Sequence, residues 1–238
     1  MNLGLAGMVL LVIGDSHIAG FGTFNNTLHD GLLAQGAMVH TFGLCGSVPS
    51  GWIIPQRAIC GSGERHNGDP AQISKDDNSN GWSLPALISR YNPDLVVVEL
   101  GENLALYGIS PRLSSDWINS EVSGLLLPIR AAKLPCVWVG PPWGGEKDGP
   151  YKKTFARVEE LSDYLSHVVS PCQYVDSLAF SRPGEWPTLD GVHLTAASTR
   201  LWDSDVIHSI DQFAATLPDH PTTAEAGAPV AAAAAPKR

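Results

Sequence analysis

Basic residues are scarce in this chain of 238 residues: 15 Lys and Arg stand against 24 Asp and Glu, for a formal net charge of −9. They form no cluster, which excludes a nucleic-acid surface, since that requires Lys and Arg gathered on one face. Long apolar runs are missing as well. "LGLAGMVLLVI" (3–13) is too short to cross a bilayer, carries no basic flank, and continues without a break into Gly-Asp-Ser. It therefore reads as a first strand over 8–13 rather than a leader or an anchor, and stable membrane insertion is not expected. A leader, if the protein is exported, is expected upstream of residue 1. The four cysteines show neither zinc-ribbon nor Cys-x-x-C spacing, so no metal set or redox motif is indicated and no cofactor is expected. Internal repeats are also absent.

What is present suits one medium-sized domain. Hydrophobic residues make up 44% of the chain, enough to bury a core over residues 1–217. Residues 218–238, ending "APVAAAAAPKR", have nothing to pack with and are expected to form a disordered low-complexity tail. An even number of cysteines suits two disulfides, Cys45–Cys60 and Cys136–Cys172, in an oxidising compartment. Four reduced thiols in a cytoplasmic protein are the alternative. The disulfide reading implies a periplasmic or secreted protein.

Five short apolar runs recur along the chain: "MVLLVI" (8–13), "AMVHTFG" (37–43), "LVVVEL" (95–100), "CVWVG" (136–140) and "CQYVDS" (172–177). Continuous rather than alternating apolar runs fit parallel strands covered on both faces. Helical spacing fills 24–36, 116–133, 152–169 and 194–217 between and after them. The alternation predicts an α/β fold, a three-layer α/β/α sandwich around a mainly parallel five-stranded sheet. Residues 44–83 break the rhythm and are expected to be a long functional loop.

Several strands end on residues that carry chemistry. The first runs into Gly14-Asp15-Ser16, placing a serine where small substrates bind in open α/β sheets. A turn-forming, helix-capping serine is the plain alternative. "WPTLDGVHLT" (186–195) puts Asp190 three residues before His193, a spacing that lets a carboxylate orient an imidazole for general base work. Gly101-Glu102-Asn103 ends the third strand, where an Asn amide could meet a developing oxyanion. Gly46 follows the second strand and lets a backbone N–H approach a ligand closely.

Taken in order, these blocks resemble the SGNH hydrolases, also called GDSL esterases, over roughly residues 8–215. The resemblance implies a flavodoxin-like fold and a metal-free serine mechanism. It makes Ser16, Asp190 and His193 the catalytic residues and Ser16, Gly46 and Asn103 the oxyanion hole. His17 is expected to be a structural neighbour rather than a second base, and Cys45–Cys60 to stiffen the loop that presents Gly46. Glu102 and Leu104, flanking Asn103, depart from the residues many members carry there.

Seven tryptophans are many for this length. Trp52, Trp82, Trp143 and Trp186 fall on loops leaving the carboxyl edge and are expected either to border the site as sugar platforms or simply to be buried under those loops. With no long apolar lid, a lipase is disfavoured. The expected activity is hydrolysis of O-acyl esters, foremost O-acetyl esters on a polysaccharide or peptidoglycan. An O-acyltransferase acting on a glycan and a non-catalytic carbohydrate-binding domain are the alternatives. The expected partner is an acylated small molecule or glycan.

Overall fold

The computed structural model describes residues 4–75, 81–146 and 150–218. Val9–Gly14 forms β1, buried at every position after Val9. A tight hairpin of β2 (Ala19–Gly20) and β3 (Thr23–Phe24) follows. Next comes α1 (Asn26–Ala34), capped by the Asn25 side chain, which accepts from Leu28 N–H. The chain continues through β4 (Met38–Leu44), β5 (Ser62–His66), β6 (Gln72–Ser74), α2 (Leu84–Tyr91) and β7 (Leu95–Glu99). It ends with α3 (Ser115–Ala131), β8 (Cys136–Val139), α4 (Phe155–Val168), β9 (Gln173–Val175) and α5 (Ala196–Ala214).

One seven-stranded sheet, ordered β6-β5-β4-β1-β7-β8-β9, organises these elements. β4, β1, β7, β8 and β9 are parallel, the flavodoxin-like core that the five apolar runs predict. β5 and β6 add antiparallel strands beyond β4, inside the stretch expected to be a loop. "SGERH" and "QIS" carry no apolar run because they lie toward the sheet edge, where water covers part of each strand. α2 is short, begins on Leu84-Pro85 and stops at Asn92 in the left-handed conformation, and its eight residues are too few for a clear periodic signal.

Alternate residues of each central strand face different layers. Leu11, Ile13, Val96 and Val98 pack with Ile118, Val122, Leu125, Leu161 and Leu165 of α3 and α4. Leu10, Val12 and Val97 pack with Leu28 and Leu32 of α1 and with Trp202, Val206 and Ile210 of α5. Because both faces are covered, the polar turns gather at the strand ends. The order of strands reverses at β1, so a crevice opens at its carboxyl end.

Both expected disulfides, Cys45–Cys60 and Cys136–Cys172, are formed. No described helix is long and apolar enough to cross a membrane. Apart from Pro218, the expected tail lies outside the described residues.

Candidate active site

Ser16 sits two residues past β1, in a turn that its neighbours hold rigidly. The Asp15 N–H donates to the Glu99 carbonyl at 3.2 Å and to Glu99 Oε2 at 3.3 Å, while the Asp15 carbonyl accepts from the N–H groups of Ile18 and Ala19. Asp15 Oδ1 accepts from His17 N–H at 3.0 Å. A Cβ on Gly14 would run into Ile18 and lie 2.8 Å from Glu99 Oε2, so only glycine lets β1 approach this turn.

His193 reaches Ser16 from the far end of the chain. Its loop is closed by a bridge between Thr188 and Leu194 and by the Leu189 N–H donating to the His193 carbonyl at 2.7 Å. Asp190 Oδ1 accepts from the N–H groups of Val192 at 3.0 Å and His193 at 2.8 Å, which turns the chain so that both side chains face one way. Asp190 Oδ2 then meets His193 Nδ1 at 2.7 Å, and His193 Nε2 meets Ser16 Oγ at 2.8 Å. Burial pushes the Asp190 carboxyl up, but the hydrogen bonds from His193 and Val192 outweigh it and hold the group below its usual range. The loop after β8 braces this turn, with Gly145 N–H donating to the Gly191 carbonyl at 2.8 Å.

Gly46 lies beside the serine turn in a left-handed conformation, φ 76°. Gly20 packs between the two turns: a Cβ there would lie 2.7 Å from Cys45 Sγ and 3.1 Å from Ser16 Cβ. The N–H groups of Ser16 and Gly46 have no hydrogen-bond partner among the described residues. The Asn103 amide bridges the two turns. Its Nδ2 donates to Asp15 Oδ2 at 3.0 Å and to the Ser47 carbonyl at 3.0 Å, so it ties the serine turn to the Gly46 turn. Meeting an oxyanion would require it to release one of these bonds.

A serine, an imidazole and a carboxylate hydrogen-bonded in sequence, beside unpaired backbone N–H groups, can perform acyl transfer. Comparison with known proteins gives a relative and several structures of the same fold. The chain is 36% identical over 220 residues to Protein BcsX of Komagataeibacter xylinus, a match spanning 92% of this chain and 80% of BcsX. Among solved structures, it superposes on a catalytic mutant of Axe2, an acetylxylan esterase from Geobacillus stearothermophilus, with TM-score 0.57 and 14% identity, over 88% of this chain and 96% of that one. TesA matches with TM-score 0.56 and 19% identity, over 85% and 97% of the two chains. The psychrotrophic esterase EstA of Pseudoalteromonas matches with TM-score 0.53 and 15% identity, over 86% and 97%. No protein-family model matches.

The chain belongs to the family of BcsX, and its fold is that of the SGNH hydrolases. It shares with these neighbours the fold of ester-type hydrolases.

Beneath Ser16 and His193 lies a set of buried charged groups whose pairing the sequence did not indicate. Lys153 Nζ, fully enclosed, lies 2.7 Å from Glu102 Oε1 and donates to Glu102 Oε2 and the Pro142 carbonyl, each at 2.9 Å. Burial lowers its pKa despite the stabilising Glu102 carboxylate. The His17 side chain is also buried, with Nδ1 3.2 Å from Asp15 Oδ1 and Nε2 unpartnered among the described residues. Burial pushes His17 down, but Asp15 pushes it further up. Asp15, His17 and Glu99 each bring one donor atom within 4.8 Å of the others, and they are the described residues that could hold a cation. Burial, together with the Asp15 charge, pushes the Glu99 carboxyl well above its usual range.

The tryptophans fall elsewhere than a substrate platform requires. Trp52 is 0% exposed, donates from Nε1 to Ser47 Oγ at 3.1 Å and stacks on Trp82, which itself packs edge-on against Phe42 at 5.1 Å. Trp143 donates to the carbonyls of Leu178 and Ser181 and lines a separate cavity of about 380 Å³ with Tyr174 and Asp176. Trp186 packs against the core on the α5 side. None of the four lines the cavity of about 550 Å³ that opens beside Ser16 and His193. Trp52 is fully buried, and Trp82, Trp143 and Trp186 are partly buried. Phe21, Tyr151 and Leu189 border that cavity instead. The available signal was Phe21 set between Gly20 and Gly22, an aromatic residue inside a glycine turn just after the nucleophile motif.

Proposed function

We propose that this protein is a serine esterase that removes O-acyl groups, foremost O-acetyl groups, from a polysaccharide or peptidoglycan. The observation that carries the reading is the continuous hydrogen-bond chain from Ser16 Oγ through His193 to Asp190. In this mechanism His193 Nε2 takes the Ser16 proton as Oγ attacks the ester carbonyl. Asp190 fixes the imidazole tautomer and stabilises the imidazolium. The N–H groups of Ser16 and Gly46 receive the oxyanion, a contribution of about 2.7–4 kcal/mol per donor to the barrier. His193 then returns the proton to the leaving alcohol, and water activated by the same base releases the acid from the acyl-enzyme.

The acetylxylan esterase fold neighbours support an acetyl ester of a glycan as substrate. The two disulfides suit a protein acting in the periplasm or outside the cell. Ser16→Ala should abolish turnover of p-nitrophenyl acetate by the purified protein while leaving its melting temperature within a degree or so of the parent's, on the order of the smallest surface effects. Retained turnover would refute the serine mechanism.

A further inference from the structure

Phe21 combines two features that folding alone does not explain. It occupies the first central position of the β2–β3 hairpin, with φ 52°, followed by Gly22 at φ 75°. Positive φ at both central residues is the pattern of a type I′ turn, which favours Asn, Asp or Gly and makes a bulky side chain an outlier. Burial does not compensate, because Phe21 is 59% exposed. The turn is nonetheless firmly held. Phe21 N–H donates to the Cys60 carbonyl at 2.7 Å, Cys60 is bonded to Cys45, and Thr23 Oγ1 donates to the Gly20 carbonyl at 2.7 Å.

The ring held in this way stands over the base. Its centroid lies 5.3 Å from that of His193 at an interplanar angle of 82°, and Tyr151 meets the same imidazole edge-on at 5.8 Å and 75°. Together with the exposed Leu189, these rings rim the cavity of about 550 Å³. His193 delivers its proton to the leaving group, so the space on its side of Ser16 is where the alcohol half of an ester lies. The cavity is far larger than an ethyl group needs and within the usual range of small-molecule sites, about 300–1,000 Å³. Asn26, Thr199 and Arg200 also line it and supply polar atoms around the aromatic rim.

We propose that Phe21, together with Tyr151, determines specificity by receiving the face of a pyranose ring as the alcohol half of the ester. Aromatic rims with polar groups nearby suit a polyol ring, which presents C–H on its faces and hydroxyls at its edge. The proposal rests on the esterase reading and names its leaving group.

The test compares kcat/KM on per-O-acetylated methyl glucoside with kcat/KM on ethyl acetate, in the parent and in Phe21→Asn and Phe21→Trp. Asparagine is at home in this turn, so Phe21→Asn should fold with an unchanged or higher melting temperature. The ratio of sugar to ethyl ester should fall about tenfold in Phe21→Asn and be kept in Phe21→Trp, since the loss appears only where the ring has something to hold. Titration calorimetry with methyl β-D-glucopyranoside gives the same comparison without turnover, with weaker binding expected in Phe21→Asn. A ratio and an affinity within twofold of the parent's overturn the proposal, and so does a lowered melting temperature in Phe21→Asn. Failure of the parent to hydrolyse either ester counts against the esterase reading instead, while the calorimetric arm still decides the role of Phe21.

Discussion

Lys153 is enclosed by the protein, with its ammonium group between both Glu102 oxygens and the Pro142 carbonyl. Removing one partner of such a pair leaves a charge without water or counter-charge. Lys153→Met should therefore lower unfolding stability by about 3–5 kcal/mol in urea titrations. Replacing both Lys153 and Glu102 with apolar residues should recover much of that loss, because no bare charge then remains. Glu102 adjoins Asn103, the residue that ties the Ser16 and Gly46 turns together, so the single variant should also lose activity. This pairing was not legible in the sequence. Glu102 stood out only as a departure from its family, and Lys153 lies 51 residues away with no local pattern to link them. Ser16, Asp190 and His193 were legible for the opposite reason, since each lies in a short turn whose chemistry is local.

At the scale of elements, the two disulfides have different neighbours and should differ in effect. Cys45–Cys60, separated by 15 residues in sequence, lies beside the Ser16 turn and anchors the hairpin through the Cys60 carbonyl. Cys136 opens β8 and Cys172 precedes β9, at the strand ends away from Ser16. A loop of about 15 residues is worth about 3 kcal/mol in the chain-entropy view, and a longer one somewhat more. The double variant Cys45→Ser/Cys60→Ser should lose p-nitrophenyl acetate activity at temperatures where its circular dichroism is still native. Cys136→Ser/Cys172→Ser should lose stability while keeping its activity until it unfolds. The parallel strands and four of the helices were readable because apolar runs and helical spacing mark buried elements. β5, β6 and α2 were not, since two are polar strands toward the sheet edge and the third is a short helix opened by a proline.

For the whole molecule, a half-buried histidine and a buried aspartate pull stability in opposite directions with pH. Burial, followed by the nearby His66, His29 and Arg90, pushes His40 down to about 4, so the folded protein holds the neutral ring while the unfolded chain takes up a proton near pH 6.5. Its contribution is complete above that value and is lost as pH falls toward 4. Burial pushes Asp203 up to about 7, only partly offset by the Asn25 hydrogen bond and the charge on His17. The folded form keeps that proton, so the Asp203 contribution is complete below the usual carboxylate range and is lost as pH rises toward 7. Relative to the parent, His40→Gln should flatten the fall in melting temperature between pH 6.5 and about 4.5, and Asp203→Asn should steepen it. Calorimetric scans across that range decide both, and identical slopes in all three proteins would refute the assignment.

Gly20 has Ser16 on one side and Cys45 on the other, with no room for even a methyl group between them. Ser16 and Cys45, the neighbour of Gly46, thereby pack against one shared residue. A residue larger than glycine there would press on both turns at once. Gly20→Ala should therefore disturb both turns together, so that p-nitrophenyl acetate turnover and melting temperature fall in the same variant.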